Sequence, residues 1–302
     1  MTAAVCCWFL SLALAPLFLG IINRTKAFFA GRHGVPWCQV YFDLWKLLHK
    51  GVVCSRTTTW VFRLGPMLGL AAMLGAAALL PWGAIPAGVA FTGDMILFAY
   101  AFALARFGTV LAALDTGSSF EGMGASREIW ISVLAEPVFF VCLGTLVAVT
   151  HQGSLSGVIP ALNPQVWPKA GLSLVLLGGA LFLVLLAENA RIPVDDPNTH
   201  LELTMIHEVM VLDHAGPDLA FIVYGAGLKL WVLAALLVNV LVPWKPLSPW
   251  GSGAVMLAGM LGVALAVGIT ESVMARLRLR RIPQMLLIAG GFAALALILT
   301  LR

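Results

Sequence analysis

The chain has 302 residues, of which 61% are hydrophobic and 11% charged, with a net charge of +4 and a mean hydropathy of +0.97. A soluble domain of this length carries about a quarter charged residues. Too little polar surface is present to cover a water-soluble globule, so lipid must be the solvent for much of the molecule.

Eight apolar runs reach the roughly 20 residues that a spanning helix needs: 3–22, 59–81, 94–114, 129–150, 170–190, 217–242, 250–271 and 283–301. The first has no basic residue ahead of it and no well-framed A-x-A site, so it reads as a retained helix rather than a signal peptide. Between it and the second run, residues 36–50 form an amphipathic pattern. Trp37, Val40, Tyr41, Leu44, Trp45 and Leu48 recur at i, i+3/i+4, while Gln39, Asp43, Lys46 and Lys50 take the other face. Such a helix lies in the membrane interface, docks on a partner or lines a pocket.

The third run carries Arg106 and the fourth Glu136; Glu188 closes the fifth, Lys229 interrupts the sixth and Glu271 ends the seventh. An ionisable residue at the centre of a spanning helix costs about 2.5–3.5 kcal/mol on insertion scales. Structural ion pairs with snorkelling at helix ends are one account of the set; a proton or ion path is the other, and five helices carrying such residues favour it. The densest polar stretch is 187–218, where Glu188, Asp195, Asp196, Glu202, Glu208, Asp213 and Asp218 face the single cation Arg191. Crowded carboxylates raise one another's pKa and so approach the range where they pass protons. His200, His207 and His214 recur every seven residues. Two helical turns separate such rings by about 10 Å, too far for one metal ion, so a relay or a polar surface fits better. Five cysteines (Cys6, Cys7, Cys38, Cys54, Cys142) form no paired C-x-x-C runs, which argues against a zinc or iron–sulfur site closed within the chain.

Prolines cluster in three short connections (Pro81 and Pro86; Pro160, Pro164 and Pro168; Pro243, Pro246 and Pro249), where helices must stop. The connections after odd-numbered runs hold Arg24, Lys26, Arg32, Lys46, Lys50, Arg56, Arg63, Arg127, Arg191, Arg276, Arg278, Arg280 and Arg281; the others, with the termini, hold only Lys169, Lys245 and Arg302. By the positive-inside rule the first group faces the cytoplasm and both termini face outward. No internal repeat stands out. The expected fold is an all-α polytopic membrane protein, a single membrane domain of eight transmembrane helices plus an amphipathic interfacial helix.

Several motifs carry a resemblance. The run Ala187-Glu-Asn-Ala-Arg-Ile-Pro-Val-Asp195 resembles the A-E-x-x-R-x-P-F-D signature of the membrane subunit that floors the quinone site of respiratory complex I. The stretch from Leu114 to Glu128 (LDTGSSFEGMGASRE), followed by Glu136-Pro137, is closer to the counterpart in energy-converting nickel–iron hydrogenases of the formate hydrogenlyase type. Trp60-Val-Phe-Arg63, Ala105-Arg106-Phe107, Leu228-Lys229, Glu271 to Arg278 and Tyr41 to Leu47 match as well, so the resemblance spans the chain. It implies eight spans, a membrane anchor for cytoplasmic hydrogenase-like large and small subunits, and a polar path into antiporter-like membrane subunits. It places iron–sulfur clusters, and a nickel–iron centre where one exists, in those partners. Two departures weigh against a quinone: Arg32-His-Gly-Val-Pro36 replaces the usual R-G-P run, and the run after Asp195 is unlike that of quinone-reducing complexes.

The resulting expectation is a non-redox subunit, embedded in the inner membrane, coupling electron transfer in its partners to H+ or Na+ translocation. A quinone-binding complex I subunit and a stand-alone secondary transporter are the alternatives. Glu136, Glu188, Glu202 and Glu208 are the expected proton-handling carboxylates, with Arg106, Arg127, Arg191 and Lys229 as countercharges. Asp43, Lys46, Asp195 and Asp196 are expected at the junction with the cytoplasmic module, and no nucleic-acid partner is indicated.

Overall fold

A computed structural model describes residues 2–196, 205–244 and 249–302. Its helices are α1 (Thr2–Phe29), α2 (Gln39–Leu48), α3 (Trp60–Leu79), α4 (Asp94–Asp115), α5 (Ser119–Thr150), α6 (Leu155–Ala161), α7 (Trp167–Glu188), α8 (His207–Met210), α9 (Gly216–Leu241), α10 (Pro249–Val273) and α11 (Ile282–Leu301). Eight of them are long and apolar enough to cross a membrane among the described residues: α1, α3, α4, α5, α7, α9, α10 and α11, the last with the short 3-10 turn ahead of it. The eight expected spans are all present.

Two spans outrun their apolar segments. Residues 23–29 contain no helix breaker, so α1 continues to Phe29 and stops only where Gly31 takes φ +63° and the Arg32 amide donates back to the Ala27 carbonyl at 2.9 Å. The fourth span starts at Ser119, not at 129. Residues 119–128 are polar yet good helix formers, so hydropathy misses a segment that propensity supports. The connection between α4 and α5 shrinks to 116–118, and Arg127 and Glu128 move from a loop onto a helix.

On the side rich in Lys and Arg, α3 and α4 form an antiparallel pair. Asp115, the last residue of α4, accepts from the Thr59 amide (2.6 Å) and hydroxyl (2.7 Å) at the start of α3. Farther in, a Cβ on Gly65 would lie 2.6 Å from the Gly108 carbonyl, so only glycine permits this backbone approach. On the opposite side, buried Asp94 accepts from the Ser154 hydroxyl (2.6 Å) and the Leu155 amide (2.8 Å), and buried Asn239 bridges the Gly83 amide and the Pro81 carbonyl. These caps fix both ends of the bundle around a core in which α9 is the most enclosed span.

The amphipathic helix expected at 36–50 is α2, at Gln39–Leu48. Val40, Tyr41 and Leu44 are half-covered, whereas Phe42, Trp45 and Leu48 are exposed. Pro16 inside α1 removes the amide that would have bonded the Leu12 carbonyl. The Tyr224 hydroxyl of α9 takes that carbonyl at 2.9 Å, and the Tyr41 hydroxyl takes that of Ala13. The carbonyl that Pro16 leaves free thus becomes a joint between α1 and α9.

Candidate functional site

Five ionisable side chains from four spanning helices meet inside the bundle. Arg106 of α4 is the hub: Nη1 bonds Glu136, Nη2 bonds Glu188 Oε1 at 2.5 Å, and Nε lies 3.5 Å from Glu128 Oε1. Lys229 of α9 reaches Glu188 Oε2 at 2.9 Å and donates to the Glu188 backbone carbonyl at 2.5 Å. Glu128 and Glu136 stand eight residues apart on α5, two turns along one face. Glu188 is presented by the end of α7, which closes as a Schellman-type cap: Arg191 N–H donates to the Leu186 carbonyl (2.9 Å) and Ala190 N–H to that of Ala187 (3.2 Å). Glycine is the usual residue at this bend, but here Ala190 holds φ +46°. A non-glycine residue in that region costs on the order of 1 kcal/mol, and such strain collects at functional sites.

A cavity of about 90 Å³ adjoins the cluster, lined by Arg106, Glu128, Glu188, Arg191, His207 and Lys229 among others. That volume accommodates several water molecules among groups able to bond them. His207 starts the short helix α8, and enclosure of its ring pushes its pKa below the ordinary histidine value, which leaves a neutral imidazole at pH 7.

A second set of ion pairs positions the first. Glu271 of α10, its side chain fully buried, pairs with Lys26 of α1 at 2.8 Å and Arg191 at 3.3 Å. Asp195, 1% exposed, accepts from Arg276 (2.7 Å), from the Ile206 amide (2.8 Å) and from the His207 amide (3.4 Å). Gly124 lets α5 close on this segment, since a Cβ there would sit 2.9 Å from the Ile206 carbonyl. His214 is buried, stacks on Phe62 with ring centroids 3.9 Å apart, and has its pKa pushed down to about 4 by that burial.

Of the expected carboxylates, then, Glu136 and Glu188 meet in one cluster, Glu208 sits half-buried on α8 outside the cavity lining, and Glu202 lies outside the described residues. Of the expected countercharges, Arg106 and Lys229 belong to the cluster. Arg191 lines its cavity while serving Glu271, and Arg127 donates to the Met205 carbonyl at 2.8 Å. Asp43 and Lys46 are exposed on α2, with Asp43 accepting from Gln39 at 2.9 Å. Asp195 points inward, and Asp196 beside it is half-buried. Sequence reasoning misses Glu128 as a site residue because hydropathy starts its helix too late; the two-turn spacing from Glu136 is the signal that could have found it. Among the described residues, no group of three His, Cys, Asp or Glu side chains is arranged to hold a metal.

Comparison with known proteins gives a consistent answer. A family described as NADH dehydrogenase matches residues 1–301. The chain is 31% identical over 293 residues to formate hydrogenlyase subunit 4 of Escherichia coli (strain K12), covering 95% of this chain and 94% of that one. It is 32% identical over 294 residues to hydrogenase-4 component C of the same strain, covering 94% and 91%. An NADH-quinone oxidoreductase subunit of Anaplasma phagocytophilum (strain HZ) is 24% identical over 244 residues, covering 74% and 71%. In fold, the chain superposes on one from the membrane-bound sulfane sulfur reductase, an archaeal respiratory membrane complex, with a TM-score of 0.85, 20% identity, and 99% and 98% of the two chains covered.

Proposed function

The chain belongs to the NADH dehydrogenase family, and from that membership we propose that it is the membrane-embedded, ion-path subunit of a hydrogenase-type oxidoreductase complex. Its two 31–32% identical relatives are named as hydrogenase or formate hydrogenlyase components, and they match it nearly end to end. The observation that carries the reading is the buried cluster of Arg106, Glu128, Glu136, Glu188 and Lys229 beside a cavity that His207 lines. A purely structural bridge needs two partners; three carboxylates strung along two cations offer successive sites for a proton. Glu188, bonded by both cations, is the fixed anion. Among the described residues Glu136 is paired with Arg106 alone, so of the two it is the member assigned to exchange. The neutral His207 ring, Glu128 and Glu136 then make a route from the acidic connection into the membrane interior.

In this reading the redox groups sit in partner subunits docked on the Lys/Arg-rich side, where Asp43, Lys46 and Asp196 are presented. The space beside Arg191, about 90 Å³, is lined by Arg106, Glu128, Glu188, His207 and Lys229 together with apolar residues such as Leu70, Met73 and Phe221, and the proposed route uses these side chains with no step through a quinone.

The flux test uses the assembled complex in proteoliposomes. Glu136→Gln keeps the shape and an acceptor but removes the exchangeable proton, so the chain should insert and fold like the parent, and flux is compared per assembled complex. Proton flux should fall by about 100-fold, the lower end of what a positioned acid or base contributes. Assembled Glu136→Gln complex that pumps normally would sink the relay.

Orientation is tested separately. The Lys/Arg bias predicts that reporter fusions at Arg32, Thr116 and Arg280 read cytoplasmic and those at Ala84 and Asn163 read outward, with both termini outside an inner membrane. One loop reading the wrong way overturns this orientation.

A further inference from the structure

The largest cavity described, about 990 Å³, is a lateral groove along α4 walled by α3 and α5. Its ridge is Leu97, Tyr100, Leu104, Phe107, Leu111 and Leu114, spaced alternately by three and four residues and between 37% and 59% exposed. This is the stripe that a second helix packs against. Small residues of α3, including Ala72, Gly75 and Ala76, flank it, and a Cβ added at Gly75 would meet nothing within 4 Å, so another backbone has room to approach.

The decisive feature is polar. Glu136 lines this groove with 41% of its side chain exposed, and it lies within one turn of the midpoint of α5. Acyl chains offer no hydrogen bond to a carboxylate at that depth, and leaving a charged group there against hydrocarbon is costly. The exposed faces of α10 and α11 present Leu257, Leu261, Leu265, Leu287, Ile288 and Leu295 to their surroundings, which is what a lipid-facing wall requires. The groove differs from such a wall only at its centre. There Glu136, paired among the described residues with Arg106 alone, lines the groove with a partly exposed carboxylate.

We infer that the groove along α4 seats a transmembrane helix of a neighbouring membrane subunit, and that this helix carries a lysine or arginine level with Glu136. The long ridge supplies the packing, and the groove-facing carboxylate of Glu136 specifies a cationic donor. The inference takes from the proposed function only that a neighbouring membrane subunit exists; it holds whether or not a proton passes through Glu136.

A photo-crosslinking residue is placed at Leu104 or at Phe107, and at Leu261 as the lipid-facing control, in the complex purified from native membranes. Adducts are then mapped by mass spectrometry. Expected are adducts from both groove positions to one apolar span of another membrane subunit, with a basic residue within about a turn of the adduct, and lipid adducts from Leu261. Lipid adducts alone from the groove, adducts only within the chain, or a captured span without a basic residue would overturn the inference. Leu104→Trp, which fills the groove, should leave the chain's own membrane level unchanged while recovery of the captured subunit falls at least tenfold; undiminished recovery also overturns it. A relay failure would show as normal flux in Glu136→Gln with these adducts intact, so the two ideas fail separately.

Discussion

Arg106→Leu is expected to abolish accumulation of the folded chain. Arg106 is 8% exposed and is the one residue that touches all three clustered carboxylates. Removing it leaves Lys229, bonded to Glu188, as the remaining cation of the cluster, with Glu128 and Glu136 facing a medium of low dielectric. Breaking a buried pair by deleting one partner costs about 3–5 kcal/mol, because the survivors stay charged and desolvated. That is a large fraction of the roughly 5–15 kcal/mol that holds a typical domain folded. Arg106→Lys keeps the charge but loses the planar fork that reaches three acceptors at once, so it should fold with a lower melting temperature. Membrane-inserted yield and thermal unfolding in detergent measure both variants. Parent-like yield and melting of Arg106→Leu would show that the cluster does not hold these helices together.

Asp195→Ala is expected to act locally where Arg106→Leu acts globally. Its carboxylate is the acceptor for Arg276 and for the amides of Ile206 and His207, and so ties the connection after α10 to the segment that brings His207 to the cavity. A buried donor left without its acceptor costs about 1–3 kcal/mol. Amide exchange at Ile206 and His207 should therefore quicken by at least about tenfold, the factor that 1.4 kcal/mol represents, while exchange in the middle of α9 stays unchanged. Asp195→Asn retains one acceptor oxygen and should fall between. Unchanged exchange at 206–207 in the alanine variant would mean that packing through Gly124, not this carboxylate, positions the segment.

Both variants probe contacts between residues far apart in the chain, and this separates what was legible from what was not. The eight spans and α2 could be read directly, because each depends on the composition and period of its own residues, and lipid demands that a spanning segment satisfy its backbone internally. The charged residues in the spans were equally plain, since each stands out against an apolar run. Helix ends were less so: α5 begins ten residues before its apolar segment, and hydropathy does not register Glu121, Arg127 and Glu128 as helical.

The sequence by itself determined that ionisable groups are buried in the membrane, and the energetic cost of such burial required that they find partners. Which partners they found was decided only by tertiary structure. Arg106 meets Glu188, 82 residues away, because α4, α5, α7 and α9 pack with those faces together, and Lys229 joins because α9 lies behind the end of α7. Asp195, one of a run of carboxylates in the sequence, is drawn inward by Arg276 and the amides of Ile206 and His207, while neighbouring Asp196 stays half-buried. A side chain's identity is local, but its field, its desolvation and its hydrogen-bond partners belong to whatever the packed helices bring alongside it.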